Sequence, residues 1–189
     1  MAAILSLLIG IYPVLYFLSD EPFGILLNKP EEVVKNALWM AMFYGHIGGG
    51  GLALAIGWLQ FSKKLRTRRI ALHRTIGKIY MIAALIGGLC GIFLAFYAEG
   101  NVLAAPGFTG LGMVWVSTSI MGYLSIRKGK TDQHQSWMTY SFAMCFAAVT
   151  FRIWLGVLAS SMADFNMAYG LAAWLCWLPN LGVAYLVRR

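Results

Sequence analysis

Charge is scarce in this chain, and so are the residues on which hydrolytic or metal chemistry is built. Of 189 residues only 12% are charged; seven are acidic, three are histidine and three are cysteine. The sequence contains no nucleophile–base triad, no phosphate-cradling glycine loop and no zinc-protease helix, so hydrolase and kinase activities find no support. The cysteines, Cys90, Cys145 and Cys176, stand in apolar runs, which argues against disulfides and leaves the redox compartment unread. No polar stretch is long enough for a water-soluble domain. The longest candidate outer loop, about residues 20–36, holds Pro22, Pro30 and acidic residues. It predicts no more than a short interfacial helix around Glu31–Asn36.

What is present is apolar. Sixty per cent of the residues are hydrophobic and the mean hydropathy is +0.70. A soluble domain of this size has too little interior to hide such a composition, and the lipid bilayer is its natural solvent. The formal net charge of +8 would suggest nucleic acid in a soluble protein. Here the basic residues cluster between apolar runs, so they report topology and no nucleic-acid partner is expected.

Spanning helices of about 20 residues fit six segments, at roughly 2–19, 37–61, 76–98, 108–126, 136–159 and 167–187. The first has no basic n-region and no clear cleavage site, so it reads as a helix kinked at Pro13 rather than a signal peptide. Twelve of the fifteen basic residues fall on one side of a six-span arrangement. They are Lys63, Lys64, Arg66, Arg68, Arg69, Arg74, Lys78, Arg127, Lys128, Lys130, Arg188 and Arg189. The other side receives Asp20, Glu21, Glu31, Glu32, Glu99 and Asp164, with only Lys29 and Lys35. The positive-inside rule then places both termini in the cytoplasm. The expected fold is an all-α, polytopic membrane helix bundle, one domain over residues 1–189, with six transmembrane helices.

Within the spans, small and polar residues recur at helical spacing. One face of the second span reads His46, Gly50, Ala53, Gly57. The third gives His73, Gly77, Tyr80, Ala84, Gly88, Gly91 and Ala95. The fifth gives His134, Met138, Ser141, Cys145, Ala148 and Arg152. Such stripes face other helices, because lipid tails give no hydrophobic drive for association. Gly45 and Gly49 make a GxxxG pattern within a glycine run that fits close helix packing.

Depth separates two candidate sites. His73 and His134 enter their spans from the basic side at similar height. Three roles fit them: interfacial residues bonding headgroups or helix ends; axial ligands of a haem b iron; or ligands of a divalent metal, which would want more donors than these two supply. His46 lies about 13 Å in from the opposite end and Arg152 roughly 24 Å from the basic edge, at 1.5 Å per residue. A charged residue in a span costs about 2.5–3.5 kcal/mol on insertion scales and normally faces a partner or cavity. Arg152 either snorkels to headgroups or holds an anion such as a propionate, a quinone oxygen or a substrate carboxylate. His46 either ligates or transfers a proton beside it, or bonds a hydroxyl of Ser117, Thr118 or Ser119. Pro179 and Asn180 are expected to open the last span and free a carbonyl.

The segments "GHIGGGGLALAIGWLQF", "HRTIGKIY" and "HQSWMTYSFAMCFAAVTFRIW" resemble the bacterial predicted membrane proteins grouped as domain of unknown function 2306. The matching positions are His46, Gln60 and Phe61; His73, Arg74, Gly77 and Tyr80; and His134, Met138 and Arg152. The likeness covers roughly residues 40–155. It implies a multi-span protein of the bacterial inner membrane and no particular activity. A looser likeness is to cytochrome b561-type proteins, which hold haem between helices; with three histidines this chain has room for one bis-histidine haem. The functional expectation is a haem-associated or redox membrane component, with His73 and His134 as iron ligands, His46 and Arg152 as a second cofactor-binding site, and a redox partner. Two alternatives stand beside it. One is a small-molecule transporter or ligand-binding protein using His46 and Arg152. The other is a non-catalytic assembly or sensory partner.

Overall fold

The computed structural model describes residues 2–19, 21, 23–99 and 102–188, with only the backbone of Asn28. The expectations for Asp20, Pro22 and Arg189 lie outside the described residues. Helices account for nearly everything else. The first apolar segment is α1 (Ala2–Ile11) and α2 (Val14–Leu18), broken at Tyr12–Pro13 as the proline predicts. A tight turn, Gly24–Asn28, and the four-residue α3 (Glu31–Val34) form the loop that follows. Asn36 then caps α4 (Ala37–Gly57) by accepting from the Trp39 amide at 3.1 Å. The basic connection is the short α5 (Lys63–Arg68), followed by α6 (Ile70–Ala95). α7 (Ala104–Arg127) turns through Gly129, at φ +71°, into α8 (Thr131–Cys145). α9 (Ala147–Ser161) continues α8 after a break at Phe146. α10 (Phe165–Leu175) is capped by Asp164, and α11 (Leu178–Val187) continues it after a second break.

Five helical segments are long and apolar enough to cross a membrane: Ala37–Phe61, Ile70–Ala95, Ala104–Arg127, Thr131–Ser161 and Phe165–Val187. They coincide with the last five expected spans. The first segment, Ala2–Leu18, is apolar but shorter and interrupted.

α4, α6, α7 and α8 form a ring, each packed on the next and α8 returning to α4. Its interior holds Leu54 from α4, Tyr80 and Ala84 from α6, Trp115 from α7, and Met144 and Cys145 from α8. α1 lies on α4 and reaches α9, α10 covers α7, and α11 covers α8. Large apolar side chains such as Ile82, Leu89, Val183 and Leu186 point outward, the surface a bilayer would wet.

The glycine run of α4 is a two-sided packing device. A Cβ on Gly49 would stand 2.7 Å from the Ala83 carbonyl oxygen, and one on Gly87 would stand 2.7 Å from the Gly50 nitrogen. On the other side, a Cβ on Gly51 would meet the Gly10 carbonyl oxygen at 2.7 Å. α4 is therefore held in backbone contact with both α6 and α1, closer than any side chain allows.

The stripes of α4 and α6 face the interior as expected. That of the fifth span does so only to Cys145. Beyond the break, Ala147 and Val149 are buried while Ala148 and Arg152 are exposed. The turn at Phe146 shifts the register. The Val149 amide bonds the Phe146 carbonyl three residues back, and the Thr150 hydroxyl reaches the Phe146 and Ala147 carbonyls as well. Such back-bonding bends helices.

Candidate functional site

At the end of the ring that carries α5 and the 127–130 turn, His73 and His134 sit in the first turns of α6 and α8, on opposite sides of the ring. His134 Nδ1 donates to the Gly122 carbonyl of α7 at 2.8 Å. A carbonyl only accepts, so the neutral ring carries its proton on Nδ1 and keeps a lone pair on Nε2. His73 Nδ1 is buried with no hydrogen-bond partner, and so is Gln60 Nε2 at the end of the second span. Gln60 lies over Gly77, its Oε1 3.5 Å from where a Cβ would stand. Met138 fills the corresponding place at Gly122. The cationic side chains of Arg66 and Arg74 lie near His73, and His134 is close enough for a charge on its ring to be felt there. The structure thus brings the two expected histidines into one electrostatic neighbourhood. Among the described residues no three His, Cys, Asp or Glu side chains cluster to hold a metal ion.

Above this pair runs a buried hydroxyl chain. Tyr80 Oη lies 2.8 Å from Ser141 Oγ, which lies 2.7 Å from Ser119 Oγ. It ties α6, α8 and α7 together at the centre of the ring.

His46 and Arg152 belong to the opposite end. His46 Nδ1 donates to the Gly87 carbonyl at 2.8 Å. Among the described residues the expected bond to a hydroxyl of the fourth span is not seen: Ser119 is committed to Ser141, Thr118 to its own helix at Val114 and Trp115, and Ser117 is exposed. The ring rests on Gly91, where a Cβ would come within 2.8 Å of Nδ1. Only a glycine admits the imidazole there. Arg152 donates from Nη1 to the Ala148 carbonyl at 2.6 Å, and its guanidinium lies 5.7 Å from the centre of the Tyr12 ring. The Tyr12 ring in turn meets Tyr16 edge-on, with centroids 5.9 Å apart, so the guanidinium stands beside a pair of phenols. Tyr12 and Tyr16 were not singled out as partners in the sequence; the one signal was that they flank Pro13, which opens the helix between them.

Nearby, the loop folds over this end. Tyr16 stacks on Phe23 with centroids 4.2 Å apart, and Trp39 on Phe43 at 5.3 Å. Lys29 donates to the Tyr97 carbonyl at 2.6 Å and pairs with Glu99 at 3.4 Å.

The two helix breaks meet each other. Thr150 Oγ1 donates to the Cys176 carbonyl at 2.6 Å, and Asn180 Nδ2 donates to Thr150 Oγ1 at 3.1 Å and to the Ala143 carbonyl at 3.2 Å. The break before Pro179 leaves the Cys176 carbonyl to be satisfied by the neighbouring span.

A family described as predicted membrane protein (DUF2306) matches residues 43–188. No curated protein and no solved structure gives a match. The matched region runs from just before His46 to Arg188 and includes all four candidate site residues. The chain belongs to this family of membrane proteins.

Proposed function

We propose that this membrane protein carries a haem b between His73 and His134 and serves as a redox component of the bacterial inner membrane, with both termini cytoplasmic. The observation behind it is the pair itself. One imidazole is held by a backbone carbonyl through Nδ1, the bond by which metal-ligating histidines are commonly oriented, and the other has a buried ring nitrogen that no protein group meets. Two neutral imidazoles from facing helices are the donor set that a haem iron takes. A macrocycle between them requires Gln60 and Met138, both long and unbranched, to turn aside from Gly77 and Gly122. Haem bound there would supply one-electron transfer to a redox partner. His73 and His134 would hold it, and the ring of α4, α6, α7 and α8 would shield it from water.

The test is an absorption spectrum of the detergent-purified protein expressed with ample haem, oxidised and then dithionite-reduced, with a pyridine haemochrome assay. The expected result is a Soret band that is lost in His73→Ala and His134→Ala and kept in His46→Ala. A colourless unaltered protein removes the haem reading and leaves the pair as helix-end hydrogen-bonding groups.

A further inference from the structure

We propose that Tyr12, Tyr16 and Arg152 form a binding site for a phosphate-bearing anion at the end of the bundle covered by residues 24–28. The site is remote from the His73–His134 pair and does not depend on what that pair holds.

Arg152 is a cation inside a helical segment of membrane-spanning length. Among the described residues the ion pairs are Lys29 with Glu99 and Lys35 with Glu31, and Arg152 belongs to neither. One of its five N–H donors is spent on Ala148. The Tyr12 ring covers one side of the guanidinium. The rest of the planar fork, which matches phosphate oxygens two at a time, has a charge with no carboxylate to meet it.

The surrounding groups suit the same ligand. Tyr16 Oη accepts from the Ile25 amide at 3.2 Å and hydrogen-bonds the Tyr12 hydroxyl, so the phenol pair has one proton left to donate, that of Tyr12. Tyr12 Oη lies beside it, 3.6 Å from the Cβ position of Gly24. Gly24 has φ +61°, and any side chain on it would run into the Tyr16 hydroxyl. A glycine is what lets the loop close over the two phenols. The cluster is roofed by the loop and open sideways, since Arg152 and Tyr12 are both exposed on the flank of the bundle. A flank opening admits either the headgroup of a phospholipid or free phosphate; both bring the same oxygens.

Full-length protein in a phosphate-free maltoside micelle is titrated with inorganic phosphate, and separately with short-chain phosphatidylglycerol, while the thermal unfolding midpoint is followed. The unaltered protein is expected to be stabilised in a saturable way. Response to inorganic phosphate identifies a free anion as sufficient; response to phosphatidylglycerol alone identifies a lipid headgroup. Arg152→Gln is expected to weaken the apparent affinity by about tenfold or more, whereas Arg188→Gln, a charge lost at the other end, leaves it unchanged. Should Arg152→Gln fail to fold, Tyr12→Phe keeps the aromatic face and removes the hydroxyl, and is expected to weaken binding several-fold. The proposal is overturned if neither probe stabilises the unaltered protein. It is equally overturned if the folded variants of Arg152 and Tyr12 bind as the unaltered protein does; Arg152 then simply reaches for headgroups.

Discussion

Ser141 is the residue on which the centre of the bundle turns. It is fully buried and bonds both Tyr80 and Ser119. Removing its hydroxyl leaves two buried polar groups short of a partner. Ser141→Ala is therefore expected to cost about 1–3 kcal/mol, and Ser119→Ala less, because the Tyr80–Ser141 bond survives it. Tyr80→Phe combined with Ser141→Ala should cost less than the sum of the two, since they share a bond. Unfolding midpoints of the purified variants check both points. At this scale the sequence was readable where a side chain declares its own needs. The stripe of Tyr80 and Ser141 pointed inward as its spacing required. It was unreadable where a side chain's partner is backbone. Nothing in the residue types beside His46 announces that the Gly87 carbonyl will come within 2.8 Å, because only the contact of two helices brings it there.

Helices in this bundle approach each other as closely as their glycines permit. A Cβ on Gly87 would stand 2.7 Å from the backbone of α4, while one on Gly182 would meet nothing within 4 Å. Gly87→Val is expected to force α4 and α6 apart and destabilise the protein by about 1–3 kcal/mol. Gly182→Ala should be neutral or gain up to about 1 kcal/mol, because a glycine in an open helical position only adds entropy to the unfolded chain. Thermal melts of the two variants side by side separate packing from flexibility. The breaks in the helices were legible in two cases of three. Pro13 and Pro179 each mark one. The third, at Phe146, has no proline; there the one proton of the Thr150 hydroxyl goes across to Cys176 at 2.6 Å, with carbonyls of its own helix farther off at 3.3 and 3.4 Å. Read as one continuous helix, the fifth span put Ala148 and Arg152 on the wrong face for that reason.

Charge is distributed over the whole molecule in a way that no single helix reveals. α5 and the 127–130 turn lie at one end, and the Arg188–Tyr140 bond of 2.6 Å fastens the end of α11 beside them. The acidic loop with its Lys29–Glu99 pair closes the other. If the first segment crosses, a reporter fused to the C-terminus reads cytoplasmic, and reversing the charges from Lys63 to Arg69 disturbs orientation more than folding. A periplasmic reading in the unaltered protein would mean an odd number of crossings. Length and apolarity made five of the segments legible from the sequence; the sixth is short and broken, which those two properties alone do not resolve. The facing breaks of the last two spans also bear on how the chain settles in lipid. The Cys176 carbonyl rests on Thr150, and the Ala143 carbonyl and Thr150 rest on Asn180. The Cys176 carbonyl and the Asn180 amide thus find their partners in the neighbouring span rather than in their own helix. In lipid the two spans are therefore expected to be stable as a hairpin, each leaving polar groups unmet until the other lies beside it.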